Sequence, residues 1–183
     1  MELASERLIL REFDHADLPA LLAYWADPRY AEFGDPEAAA PVHARRLLEL
    51  FVRWAQEVPR RNYQFAVVER GGSGEMIGNC GIRQQESGGG VAGFGVELAP
   101  SVWGRGLATE AARRLLSLAF GDLGLREIHG ISVAENTRVA RLVGRLGFTR
   151  IASRPGPDWM RSRGWTETEW RLAAEDWKAE PAG

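Results

Sequence analysis

The run Val96-Glu-Leu-Ala-Pro-Ser-Val-Trp-Gly-Arg-Gly-Leu-Ala-Thr-Glu-Ala111 holds the residues best suited to chemistry. A strand pattern stops at Pro100, a turn carries Gly104 and Gly106, and an alanine-rich helical pattern begins at once. Two glycines permit a tight turn and leave no Cβ between the backbone N–H groups and an approaching ligand. The helix start behind them presents unpaired N–H groups at the positive end of the helix dipole. Together these features make an anion cradle matched to a pyrophosphate. A Walker loop is disfavoured, because no lysine follows the second glycine. A dinucleotide fingerprint fails as well: Gly93-Phe-Gly95 lies inside a strand, and Leu98 stands where the third glycine belongs.

Other candidates are fewer. Asn136 stands where it can cap the helix that follows it. Arg105, Arg138 and Arg141 carry the charge to meet phosphates, although an arginine on a helix is ordinarily solvated. His15, His43 and His129 are scattered without metal-ligand spacing, so no metal is expected. The one cysteine, Cys80, lacks a nucleophile's surroundings and reads as a small buried residue. Trp25 and Trp54 fit helical core faces. Trp159, Trp165, Trp170 and Trp177 crowd the C-terminal hairpin, where core packing and a pocket wall are both open readings.

The elements that must position these residues follow from periodicity. Arg7–Phe13 reads as a first strand. Asp14 or Asp17 caps a helix running to about Ala26, and Asp35-Pro36-Glu37 restarts one that ends before Pro59. The period then drops to two. Tyr63–Val68, Met76–Ile82 and Val91–Leu98 read as an antiparallel meander, with turns at Gly71–Gly74 and Gly88–Gly90. Ala108–Leu123 is a helix whose Ala108, Ala111, Ala112, Leu115 and Ala119 share a face. Strands at Glu127–Val133, Phe148–Ser153 and Glu167–Leu172, with a helix around Val139–Leu146, complete an α/β (α+β) chain. The expected architecture is one domain over residues 1–183, frayed from 179 to 183. Its mixed, mostly antiparallel sheet has about seven strands and about four flanking helices.

Composition agrees with a folded chain. Of 183 residues, 45% are hydrophobic and 26% charged, a balance that excludes disorder as the dominant state. A net charge of −2 supplies no basic field to recruit nucleic acid. No apolar stretch reaches the length of a membrane span, and Met1–Arg7 lacks the form of a signal peptide. A single cysteine forms no internal disulfide. These features lead us to expect a cytoplasmic protein.

Trp103-Gly-Arg-Gly-Leu-Ala108 resembles the Gln/Arg-x-x-Gly-x-Gly/Ala coenzyme A loop of the GNAT family of N-acetyltransferases. The wording Val-Trp-Gly-Arg-Gly-Leu-Ala-Thr-Glu-Ala is nearest the branch that contains RimJ and RimL, which acetylate ribosomal-protein N-termini. Ser5–Arg11 resembles that branch's opening strand. Asn136 through Leu146-Gly147-Phe148 matches its Asn-x-x-Ser-(eight residues)-Gly-Phe segment, with Val139 in place of serine. Gly164–Trp177 resembles the closing strand and its acidic-aromatic tail. The likeness spans nearly the whole chain in order.

The resemblance implies a sheet splayed between its fourth and fifth strands, with acetyl-CoA as co-substrate in the wedge. The backbone at Val96 and Leu98 would meet the pantetheine arm. Trp103 would border the cofactor, and the N–H groups of Gly104, Arg105, Gly106, Leu107, Ala108 and Thr109 would hold its pyrophosphate. Asn136 would reach the cofactor from the next helix, where Arg141 is a further phosphate partner. The acceptor amine would attack the thioester directly, with Glu97 as general base and the Leu98 N–H stabilising the oxyanion. No general acid is apparent: tyrosines occur only at 24, 30 and 63, and Val139 and Val143 stand where hydroxyls would be expected. Likeness to the RimJ/RimL branch implies a protein or peptide N-terminus as acceptor. A small-molecule amine (polyamine, amino acid or aminoglycoside), a non-catalytic coenzyme A-binding module and a nucleotide-binding protein are the alternatives. A homodimer, where one forms, is expected to use the C-terminal hairpin.

Overall fold

The computed structural model describes residues 1–37, 40–84 and 89–178. Its strands are β1 (Glu2–Ala4), β2 (Leu8–Glu12), β3 (Asn62–Glu69), β4 (Met76–Gln84), β5 (Val91–Leu98), β6 (Glu127–Val133), β7 (Thr149–Pro155) and β8 (Thr166–Ala173). Its helices are α1 (Leu18–Trp25), α2 (Pro28–Ala31), α3 (Pro41–Trp54), α4 (Leu107–Ser117), α5 (Thr137–Arg145) and α6 (Asp158–Arg161). The strands form one sheet in the order β1-β2-β3-β4-β5-β6-β8-β7. All neighbours are antiparallel except β5 and β6, which a crossover through α4 joins in parallel.

Strand alternation divides the core in two. Phe65 and Val67 of β3 join Leu8, Leu10, Cys80, Ile82 and Leu98 under α4, which contributes Leu107, Ala111, Ala112, Leu115 and Leu116. Ala66, between them, turns to the other face and meets Leu21, Tyr24, Trp25, Leu48 and Phe51 of α1 and α3. One face of the meander therefore carries α4, and the opposite face carries α1 and α3.

The structure corrects the expected elements in places. β1, α2 and α6 are three or four residues long, too short to show a period in sequence, and bring the totals to eight strands and six α-helices among the described residues. The helix expected from Asp35 begins instead at Pro41. The Asp35 carboxylate accepts the Glu37 N–H at 2.9 Å, a local turn that competes with helix. Past Ser117 the fourth helix widens into a π-helical turn over Leu118–Asp122. Asp14 caps the 3-10 turn before α1, while Asp17 holds Arg11 through two hydrogen bonds. Gly88 and the frayed end expected at 179–183 lie outside the described residues. No helix among the described residues is long and apolar enough to cross a membrane.

The decisive feature lies between β5 and β6. They pair only at Val91–Glu127, Ala92–Ile128 and Gly93–His129, after which each continues without the other. These are the fourth and fifth strands of the sequence reading, so the splay falls where the resemblance placed it.

Candidate active site at the splayed strands

Register decides which backbone groups face the gap. The Ala99 N–H donates to the Ile77 carbonyl at 2.8 Å, so the bonded pairs of β4 and β5 fall at odd positions of β5. Val96 and Leu98 consequently turn their N–H and C=O groups away from β4, toward the edge that β6 has left. The Leu98 carbonyl is taken there by the Trp103 indole N–H at 2.7 Å.

The loop after β5 is an amide cradle. Gly104 and Gly106 both have φ of +79°, and a Cβ at Gly104 would meet nothing within 4 Å. Left-handed backbone, not lack of room, is what requires glycine there. Gly106 opens α4, and the first helical bond runs from the Glu110 N–H to the Gly106 carbonyl. Among the described residues, no acceptor bonds the N–H groups from Gly104 to Thr109.

Glu110, in the first turn of α4, holds this loop in place. Its carboxylate accepts from the Ser5 hydroxyl, the Arg7 N–H and the Arg7 Nε, each at 2.7 Å. Arg7 also donates to the Arg105 carbonyl at 3.0 Å. The Arg105 side chain pairs with both oxygens of Glu69.

On the opposite face of β5, Glu97 is half-buried in a polar nest. Asn79, its register partner on β4, donates to Glu97 Oε2 at 3.1 Å and to the Tyr24 hydroxyl at 2.6 Å. Tyr24 in turn donates to the same carboxylate oxygen at 3.3 Å, and the Tyr30 phenol also faces it. Burial pushes both phenols well above their ordinary pKa, and the nearby Glu97 charge adds to the rise. Both hydroxyls therefore stay protonated and act as donors.

Asn136 caps α5, its side-chain oxygen accepting the Val139 N–H at 3.3 Å. Arg141 is exposed on α5, and no described residue bonds to it. Leu107 is buried under the sheet, and Ala108 packs against the same core. Arg138 lies over the Trp103 ring at 4.5 Å and pairs with Glu32 beyond α2. Phe33 stacks on Trp165 at 5.2 Å, and Trp165 meets Trp159 edge-on. The four C-terminal tryptophans thus divide: Trp170 and Trp177 pack on the core, while Trp165 meets Phe33 after α2 and Trp159 packs on Trp165.

Comparison with known proteins bears on this geometry. An acetyltransferase (GNAT) domain model matches residues 7–149. The chain belongs to the GNAT family. An uncharacterized N-acetyltransferase, p20 of Bacillus licheniformis, is 30% identical over 81% of this chain and 82% of its own length. Among solved structures, a ribosomal-protein-S5-alanine acetyltransferase from Vibrio fischeri has a TM-score of 0.78 at 16% identity, covering 97% of this chain and 99% of its own. A spermidine N-acetyltransferase from Vibrio cholerae, in complex with CoA and spermine, has a TM-score of 0.76 at 18% identity, covering 94% and 98%.

This GNAT protein is therefore an N-acetyltransferase, and acetyl-CoA is its acetyl donor. The unpartnered amides of the Gly104–Thr109 loop and the open edge of β5 fit a diphosphate joined to an extended amide-bearing arm. Sequence reading did not single out Glu110, Asn79, Gln64, Tyr24 or Tyr30. A signal was present for two of them: Gln64 and Asn79 are polar residues inside apolar strand runs, where a buried polar group must find a partner. Glu110 had a fainter one, an acidic residue in the first turn of a helix.

Proposed function

We propose that this GNAT enzyme acetylates the N-terminal amine of a protein or peptide, with Glu97 taking the proton of the attacking amine. Acetyl-CoA supplies the reactive acetyl thioester; the chain's residues supply the rest. Amides of Gly104, Arg105, Gly106, Leu107, Ala108 and Thr109 hold the diphosphate, and Trp103 shapes the turn. Val96 and Leu98 bind the pantetheine arm, as an added strand would. The Leu98 N–H steadies the carbonyl oxygen as the amine nitrogen bonds to the acetyl carbon and the carbon–sulfur bond breaks. Asn136 and Arg141 contribute from α5.

The observation that carries this reading is the position of Glu97. It is a carboxylate on the strand that borders the gap, held by donors that remain neutral. An α-amine with a pKa near 8 is only about a tenth neutral at neutral pH, so a base gains roughly 10²- to 10⁴-fold. Tyr24 and Tyr30 stay protonated and serve to hold Glu97, leaving the departing thiolate to be protonated by water.

The surroundings favour a peptide over a polycation. Tyr24 meets Tyr30 beside Glu97, Phe33 meets Trp165, and Arg138 and Arg163 lie over the Phe33 and Trp165 rings. A polyamine would need several carboxylates there, and Glu32 is already engaged by Arg138. The test is thiol release from acetyl-CoA across N-terminal peptides, polyamines, amino acids and aminoglycosides. Peptides should turn over fastest, and Glu97→Gln should cut kcat by about 10²- to 10⁴-fold while leaving acetyl-CoA affinity intact. Full turnover by Glu97→Gln at neutral pH would remove the base, and preference for polyamines would remove the acceptor assignment.

A further inference from the structure

A line of side chains runs through the sheet face from the protein surface to Glu97. Arg83 Nη2 donates to Gln64 Oε1 at 2.9 Å, and Gln64 Nε2 donates to Asn79 Oδ1 at 2.7 Å. Asn79 Nδ2 then donates to Glu97 Oε2 and to Tyr24, which donates to the same oxygen. The two ends dictate the direction of every link. A guanidinium can only donate and a carboxylate can only accept, so each amide between them must turn its oxygen toward Arg83 and its NH₂ toward Glu97.

Gln64 and Asn79 are 1% and 5% exposed, so neither amide has water to turn to if its neighbour is lost. The fold reserves space for the line. A Cβ at Gly81 would lie 2.1 Å from Gln64 Oε1 and 2.6 Å from its Cδ. Glycine at 81 is what allows the Gln64 amide to lie over β4 and reach Asn79.

We propose that Gln64 and Asn79, anchored by Arg83, are positioning residues that keep a hydrogen-bond donor aimed at the Glu97 carboxylate and so hold it in place. This rests on Glu97 being the base. Around Glu97 the titratable and charged groups are Tyr24 of α1, Tyr30 beyond it in α2, and Arg83 of β4; β3 contributes the neutral Gln64. Arg83 and Glu97 also attract each other directly, so what the amides supply is the orientation of the donor that meets the carboxylate.

The decisive variant is Gln64→Met, which keeps much of the volume, adds no charge and has no NH₂ to give Asn79. The Asn79 oxygen then loses its donor, and the amide loses the orientation that points its NH₂ at Glu97. A ¹³C-carboxyl NMR titration, with the Glu97 signal assigned by its loss in Glu97→Gln, reads the effect directly. Losing the oriented donor should raise the Glu97 proton affinity about tenfold, and the acid limb of kcat/KM should move with it. Acetyl-CoA affinity should stay as in the native enzyme. Gln64→Leu, equally neutral, gives a shift in the same direction and keeps the test available should Gln64→Met not fold. Unmoved Glu97 titration in the folded variants overturns the positioning role. If Glu97→Gln remains active while the titration does shift, the base assignment fails and the line of amides stands.

Discussion

Replacing Glu110 by glutamine separates the loop's architecture from its chemistry. The carboxylate accepts three hydrogen bonds at 2.7 Å from Ser5 and Arg7, and its side chain is 16% exposed. Glutamine keeps one acceptor oxygen and the volume, but it loses the charge and places an NH₂ against a donor. Because Arg7 is 46% exposed, solvent screens much of the ion pair. The loss should be about 1–2 kcal/mol, or about 3–6 °C in Tm for a chain of this length. Arg7 also braces the Arg105 carbonyl, so acetyl-CoA Kd should weaken by about three- to tenfold as the cradle loosens. The pH dependence has a definite sign. Burial raises the Glu110 pKa, but the Arg7 N–H, Ser5 and the Arg7 guanidinium outweigh it and leave the value below the ordinary one. The stabilisation is thus complete above the ordinary carboxylate pKa and is lost as pH falls through the depressed folded-state value. Thermal unfolding of native and Glu110→Gln enzyme from neutral to acid pH should show two midpoints that converge. A neutral-pH midpoint and an acetyl-CoA Kd both equal to native would refute the bracing of α4 by the β1–β2 turn.

Three further outcomes follow from named features. Gly106→Ala should cost about 1–2 kcal/mol through left-handed strain alone, since the nearest atom to its Cβ is Arg7 Nη2 at 3.6 Å, and chemical denaturation measures it. Acetyl-CoA at a hundred times its Kd should add about 2.7 kcal/mol of stability in a thermal shift, whereas ATP and NAD should add none. Cys80 is fully buried and burial pushes its thiol pKa up, so a thiol reagent should leave it unmodified in native protein while reporting every released coenzyme A; rapid labelling would contradict the packing of β4 under α4.

Much of the site was legible because it is local. A left-handed glycine pair followed by a helix start is specified within six residues, and the structure gives Gly104 and Gly106 the positive φ that such a turn needs. The splay was reached through family likeness and not through periodicity, which cannot tell a paired strand from an unpaired one. The short elements β1, α2 and α6 escaped for a different reason: three or four residues complete barely one turn or one alternation, and tertiary contacts stabilise them.

By itself, then, the sequence determined the cradle, the strand that leads into it and the helix that closes it, since backbone conformation there depends on neighbouring residues. What stands around Glu97 was decided only by the tertiary structure. Tyr24 is 73 residues away along the chain and Asn79 is 18, and nothing in either segment names its partner. Likewise Arg105, a phosphate candidate by sequence, is turned to Glu69, and Arg138 is laid across Trp103. Charges and amides seek partners in space, and only the folded sheet determines which of them share a face.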